Sequence, residues 1–334
     1  MSTETRRPPR RRPGELRLAD PPSASVPDAT GRAAALRKLE LMVTRRLDGL
    51  VSGEYLGRLP GPGTDRVGAR PLQAGDDARR IDWSLTARSL QPHVRTTDAD
   101  RELETWIVAD RSASLDFGTA EREKREVVLA AAAAFGALTT RGGNRLGMLI
   151  TGGDALVRLE PVATRRGMLA GLARLYDAPR RTAAPGHGAD LSGGLAQLDR
   201  LHRRHGQVVV LSDFLDDGDW VSSIRRLALR HQVLAVQVVD PRESELPAVG
   251  MLTMIDTETG RTIDVQTNAA GLRQRYAEAA KARHDGIARS IATAGAEHLV
   301  LSTDRDWLTD IARFVLERRT RRATRLAADV RTTP

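Results

Sequence analysis

The sequence predicts an α/β protein with a doubly wound, mostly parallel sheet, preceded by a helix and a small β module. Three observations predict it. From Leu103 onward, strand-like apolar runs alternate with helical segments. The runs are continuously apolar, as parallel strands covered on both faces require. The segments between them carry helix polarity, with acidic first turns and glycine stops.

Taken in order, residues 1–31 are rich in Pro, Arg and Ser and hold too little apolar content to offset their ordering entropy. They are expected as a disordered tail. The stretch ALRKLELMVTRRLDGLVSG follows, with Leu36, Leu39, Met42 and Val43 at helical spacing and Gly53 as the stop. Residues 54–104 are dense in Gly, Pro and Asp and hold short strand-like pieces such as PHVRTT. With the helix they form an expected N-terminal unit over residues 32–104.

The α/β domain is expected over residues 105–320, with a basic tail at 321–334. Its strand-like runs are WIVAD, RLGMLIT, QVVVLSD, QVLAVQVVD and EHLVLST, and ALVRLEP reads as an added antiparallel edge strand. Helices are expected over Thr119–Thr140, Asp190–His205, Gly271–Ala294 and Trp307–Arg319. In HRRH, His202 and His205 read as surface residues matched to a helix C-terminus. DPRESELP reads as a solvated turn, although Asp240 and Glu243 could line the sheet edge.

Composition narrows the function. The absence of cysteine removes disulfides, thiolate catalysis and cysteine-held metals. No apolar run approaches the roughly 20 residues of a membrane span, and the start lacks the apolar centre of a signal peptide. The cytoplasm is the expected location, with membrane contact only through partners. The formal charge of +9 sits mostly in the two Arg-rich ends, and aromatics are only 3%, so base-stacking surfaces are scarce. Nucleic acid is therefore not the expected partner. GGNRLG and TGGD fit neither a Walker A loop nor a dinucleotide fingerprint.

In open α/β sheets, ligands bind beyond the carboxyl ends of the strands, near a switch in strand order. Here those ends read DRSAS, LSDFLDDGD, VVDPRESE and STDRD. So many acids at one edge repel each other unless a cation or partner sits among them. If Asp110 ends its strand, Ser112 and Ser114 can face the same point, and Asp213 can join from the neighbouring strand. Two hydroxyls and two carboxylates suit a hard divalent cation, magnesium or manganese ahead of calcium. The other reading is structural: Asp and Ser after a strand form Asx and Ser/Thr turns or cap the next helix. Serine hydrolase chemistry needs a base, and the spacing of the seven histidines points to none.

Three blocks, AGDDARRIDWSLTAR, RELETWIVADRSASLDFG and VVDPRESELPAVGMLTMIDTETG, occur in one order. Together they resemble domain-of-unknown-function family 58 over roughly residues 33–320. The resemblance implies a von Willebrand factor A-like, Rossmann-type domain. It also implies partnership with a MoxR-type AAA+ ATPase in maturation of a client protein, without an established reaction. The metal-ion-dependent adhesion motif D-x-S-x-S then falls on Asp110, Ser112 and Ser114, and the later aspartate on Asp213. Where that motif has a threonine, this chain has Ala189 followed by Asp190. Asp190 either replaces the threonine or only caps its helix.

In the first block, Gly75-Asp76-Asp77 reads as a turn, with Arg79, Arg80 and Arg88 available to pair with Asp76, Asp77 and Asp82. Trp83 reads as a core or interface anchor. The block is either an internal ion-pair network or a recognition surface (Asp76, Asp77, Arg80, Asp82, Trp83, Arg88) for the ATPase. Leu72 stands near where many relatives carry an aromatic. The expected function is a non-enzymatic adaptor; the alternative is a metal-dependent hydrolase or phosphatase using the acidic strand ends.

Overall fold

The computed structural model describes residues 29–53, 68–72, 81–89, 91–96, 104–118, 122–141, 143–152, 155–180, 190–216, 218–255 and 262–332. Nearly all of the expected N-terminal tail, as well as Asp76, Asp77, Arg80 and Ala189, lies outside the described residues.

Helix α1 (Ala29–Gly53) is followed by strands β1 (Gly68–Pro71) and β2 (His93–Thr96), which pair antiparallel with helix α2 (Trp83–Ser89) between them. The main sheet contains β3 (Glu104–Ala109), β4 (Arg145–Ile150), β5 (Val157–Val162), β6 (Gly206–Ser212) and β7 (Gln232–Val239). A hairpin of β8 (Met251–Ile255) and β9 (Thr262–Gln266) leaves it before β10 (Glu297–Ser302) completes the sheet. The helices are α3 (Lys124–Arg141), α4 (Arg165–Tyr176), α5 (Leu191–Leu201), α6 (Trp220–Ala228), α7 (Ala270–Thr293) and α8 (Trp307–Thr332).

The strand order is β10-β7-β6-β3-β4-β5. All neighbours are parallel except β5, which runs antiparallel at the edge. The chain thus leaves β3 toward one edge, then crosses to β6 and builds toward the other. This is a doubly wound arrangement, with its switch between β3 and β6. Successive side chains of β3 go to opposite faces. Ile107 and Ala109 join one core, with α1, α3, α4 and α8, while Trp106 and Val108 join the other, with α5, α6 and α7. Two buried faces explain why the parallel strands read as unbroken apolar runs.

Three features differ from the sequence reading. Helix α1 buries Leu36, Val43 and Leu47 in the core shared with α3, α4 and α8, and Arg32 pairs with Asp177 at 2.7 Å. An amphipathic stripe does not say which surface receives it, and here the surface is the α/β body rather than the β module. The last helix runs past Arg319 to Thr332, into residues expected as a tail. His202 is buried, not a surface residue: its ring stacks on His231 at 4.9 Å and its Nδ1 lies 3.1 Å from Glu104. Only His205 of that pair is exposed.

Docking of α1 on the body makes a testable difference. Leu47→Ala should lower the unfolding free energy in urea by about 2–5 kcal/mol and weaken the single cooperative transition. The same change at Leu41, which is exposed, should leave the transition nearly unmoved.

Candidate functional site

Beyond the ends of β3 and β6 the two strands part company. The Asp110 amide still bonds the Leu211 carbonyl of β6 at 2.9 Å, but the Arg111 amide turns to the Thr151 carbonyl after β4, at 3.0 Å. This opens the crevice of the switch point. The loop after β4 closes tightly over it: Gly152 has φ +78°, and a Cβ there would stand 2.3 Å from the Ser112 amide nitrogen. Only glycine fits such a place.

The D-x-S-x-S side chains meet in this crevice. Asp110 Oδ1 accepts from the Ser112 amide at 2.9 Å, and Oδ2 accepts from Ser112 Oγ at 3.1 Å. Ser112 Oγ and Ser114 Oγ lie 3.0 Å apart. A fourth side chain comes from β6, where Ser212 Oγ donates to Asp110 Oδ2 at 2.7 Å. Among the described residues no histidine shares these bonds. The Asp110 carboxyl is pushed up to about 6, first by burial and then by the charge of Asp213, against the lowering effect of its hydrogen bonds from Ser212 and Ser112.

Asp213 lies beside this group but is engaged elsewhere. Lys124, the first residue of α3, has a fully buried side chain whose Nζ lies 2.8 Å from Asp213 Oδ2. The same ammonium donates to Glu243 Oε1, from the turn after β7. Burial acts to lower the lysine pKa, but Asp213 and Glu243 outweigh it and hold the ammonium above its ordinary range. Glu243 itself is raised, chiefly by burial. Glu243 Oε2 accepts the Asp240 amide at 3.1 Å, and Asp240 Oδ2 accepts Thr303 Oγ1 from the end of β10 at 2.7 Å. The turn is solvated only in part: Asp240 is fully buried, while Arg242 and Glu245 are exposed. Polar side chains thus line the carboxyl ends of β3, β6, β7 and β10.

Asp190 takes no part in this chain of bonds. It is exposed and caps α5, accepting the Gly193 amide at 2.6 Å. In the first block, Asp82 Oδ1 caps α2 by accepting the Ser84 and Leu85 amides, each at 3.1 Å. Arg88 bonds the Ser84 carbonyl. Trp83 is 71% exposed, so it is not a core anchor.

The residues fit a divalent cation in part. Asp110, Ser112 and Ser114 bring hard oxygens together at one point, the donor chemistry magnesium and manganese take. Asp213 and Asp190 are committed to an ammonium and a helix cap. Among the described residues, no three His, Asp or Glu side chains converge as metal ligands.

Sequence reasoning did not single out Lys124. A signal was present: it is one of three lysines in a chain whose other 49 cations are arginine. Nor did it find the bonds joining Ser244, His284, Gln237 and His298, at 3.2–3.3 Å, which line a cleft of about 380 Å³ between α7 and the β7–β10 edge.

Residues 68–286 match the family described as protein of unknown function DUF58. The chain belongs to that family. An uncharacterized protein of Mycobacterium tuberculosis, Rv1480, is 49% identical over 287 residues, spanning 86% of this chain and 90% of the relative. An uncharacterized Mycobacterium avium protein, MAV169, is 45% identical over 130 residues, or 39% of this chain and 76% of its own length. Among solved structures, the conserved hypothetical protein BatB of Bacteroides thetaiotaomicron overlaps with a TM-score of 0.42 at 15% identity, covering 64% of this chain and 98% of that one. The VWA domain of SpRpn10 overlaps with a TM-score of 0.33 at 14% identity, over 62% and 92% of the two chains.

The raised Asp110 pKa has a definite sign. Between the ordinary 3.8 and about 6, the folded state binds more protons than the unfolded state, so stability falls as pH rises through that window. At about 1.4 kcal/mol per pH unit, the loss above pH 6 is on the order of 2–3 kcal/mol. Asp110→Asn should therefore raise the thermal midpoint at pH 8 in chelator-treated buffer and change little at pH 3.5, as followed by circular dichroism.

Proposed function

We propose that this DUF58 protein is a non-enzymatic interaction protein that docks a partner on the carboxyl edge of its sheet. The observation that carries this is the Asp110–Ser112–Ser114 group, assembled at the switch-point crevice around a buried aspartate bonded only to neutral donors. Buried carboxylates raised toward protonation in a crevice are candidates for functional sites. Ser112 is half-buried, which leaves it within reach of an incoming carboxylate. A divalent cation held by Asp110, Ser112 and Ser114 would keep open positions for such a partner group, the chemistry of metal-dependent adhesion.

The partner is a MoxR-type AAA+ ATPase, as the resemblance of the three blocks implies, and the joint task is maturation or remodelling of a client protein. Exposed Trp83 and exposed Arg88, both on α2, support a second contact, since aromatic and arginine side chains commonly anchor interfaces. Co-purification of the ATPase with the full chain tests this. Asp110→Ala and Trp83→Ala should each reduce recovery at least about tenfold, a loss worth about 1.4 kcal/mol. Equal recovery with both variants overturns the docking reading. Magnesium-dependent turnover of phosphate esters that disappears in Asp213→Ala would replace it with a hydrolase.

A further inference from the structure

The acidic strand ends need a counter-charge, and the chain carries one of its own. Lys124 Nζ lies between the carboxylates of Asp213 and Glu243, and none of its side chain is exposed. It enters from the start of α3, immediately after the D-x-S-x-S loop, where its amide bonds the Phe117 carbonyl at 2.9 Å. The ammonium is thus anchored by the same loop that bears Ser112 and Ser114.

The choice of lysine has a steric reason. A guanidinium is a planar fork built for side-on pairing, whereas an ammonium is a compact point charge with three donors. The second is the smaller group to enclose between two carboxylates from the ends of different strands, much as a bare ion is. In a chain with 49 arginines and three lysines, the ammonium sits where compactness matters.

We propose that Lys124 is a tethered cation that occupies Asp213 and Glu243, holds the carboxyl edge together without metal, and weakens the binding of any divalent ion at the Asp110–Ser112–Ser114 corner. The inference rests on reading that corner as a cation site, and it adds what sets the site's affinity. Two effects act together. The ammonium withdraws Asp213, a carboxylate whose charge acts on Asp110, and it adds a positive charge to the same sheet edge, which opposes a second cation. Without Lys124, the Asp213 and Glu243 carboxylates would repel each other, and Asp213 would repel Asp110.

The test is manganese binding to the full chain, measured by electron paramagnetic resonance and by the shift in thermal midpoint, for wild type, Lys124→Met and Lys124→Met with Asp110→Asn. Lys124→Met should bind manganese at least about tenfold more tightly than wild type, a ratio corresponding to ~1.4 kcal/mol. Its midpoint should rise more steeply with added ion, and the Asp110→Asn change should remove the gain. Equal or weaker binding by Lys124→Met, or no binding at all, overturns the proposal. Should Lys124→Met fold only with manganese present, and not with sodium chloride at matched ionic strength, that dependence is itself the expected result. Should it not fold under either condition, Lys124→Met with Glu243→Gln, which leaves one surplus carboxylate in place of two, decides: tighter manganese binding than wild type supports the proposal, and no increase overturns it. Failure here with Asp110-dependent ATPase recovery intact removes only the lysine assignment. Loss of that dependence removes the docking reading instead.

Discussion

One buried ammonium joins three elements at the carboxyl edge of the sheet. Lys124 joins the start of α3 to the ends of β6 and β7 through Asp213 and Glu243. Withdrawing such charges from water costs several kcal/mol per ion, and only close pairing with further hydrogen bonds recovers it. That requirement fixes the surroundings. Glu243 must also accept the Asp240 amide, and Asp240 must find Thr303, so the ends of β7 and β10 are drawn into one arrangement. Geometry, more than net stability, is what such a network specifies.

The same edge shows a division of labour among aspartates that look alike in sequence. Asp213 is neutralised by lysine, Asp240 is buried in a capping turn, and Asp190 is spent on its helix. Asp110 is the one surrounded by hydroxyls and raised toward protonation. An aspartate that satisfies only neutral donors retains the capacity to bind something charged. The crevice exists because β3 bonds β6 up to Asp110 and β4 after it, so the switch in strand order and the site are one feature.

Much of the fold was legible because burial on two faces writes itself into composition. The runs WIVAD, QVVVLSD and QVLAVQVVD read as central parallel strands and form β3, β6 and β7, and ALVRLEP, exposed along most of β5, forms the antiparallel edge. The places where reading failed share a cause. His202 sits at a helix end, where a surface role is ordinary, yet it is buried because β7 brings His231 against it. DPRESELP has the composition of a solvated turn, yet α3 places a lysine on it from 119 residues away in the chain.

From sequence alone came the alternation that dictates a doubly wound sheet, the strand-end position of Asp110, Ser112 and Ser114, and the need for a positive charge among so many acids. Local chemistry decides all three. Tertiary structure decided which charge meets that need, and which aspartates are already taken. Long-range pairing of buried ions depends on which elements the sheet brings together, and no spacing along the chain encodes that.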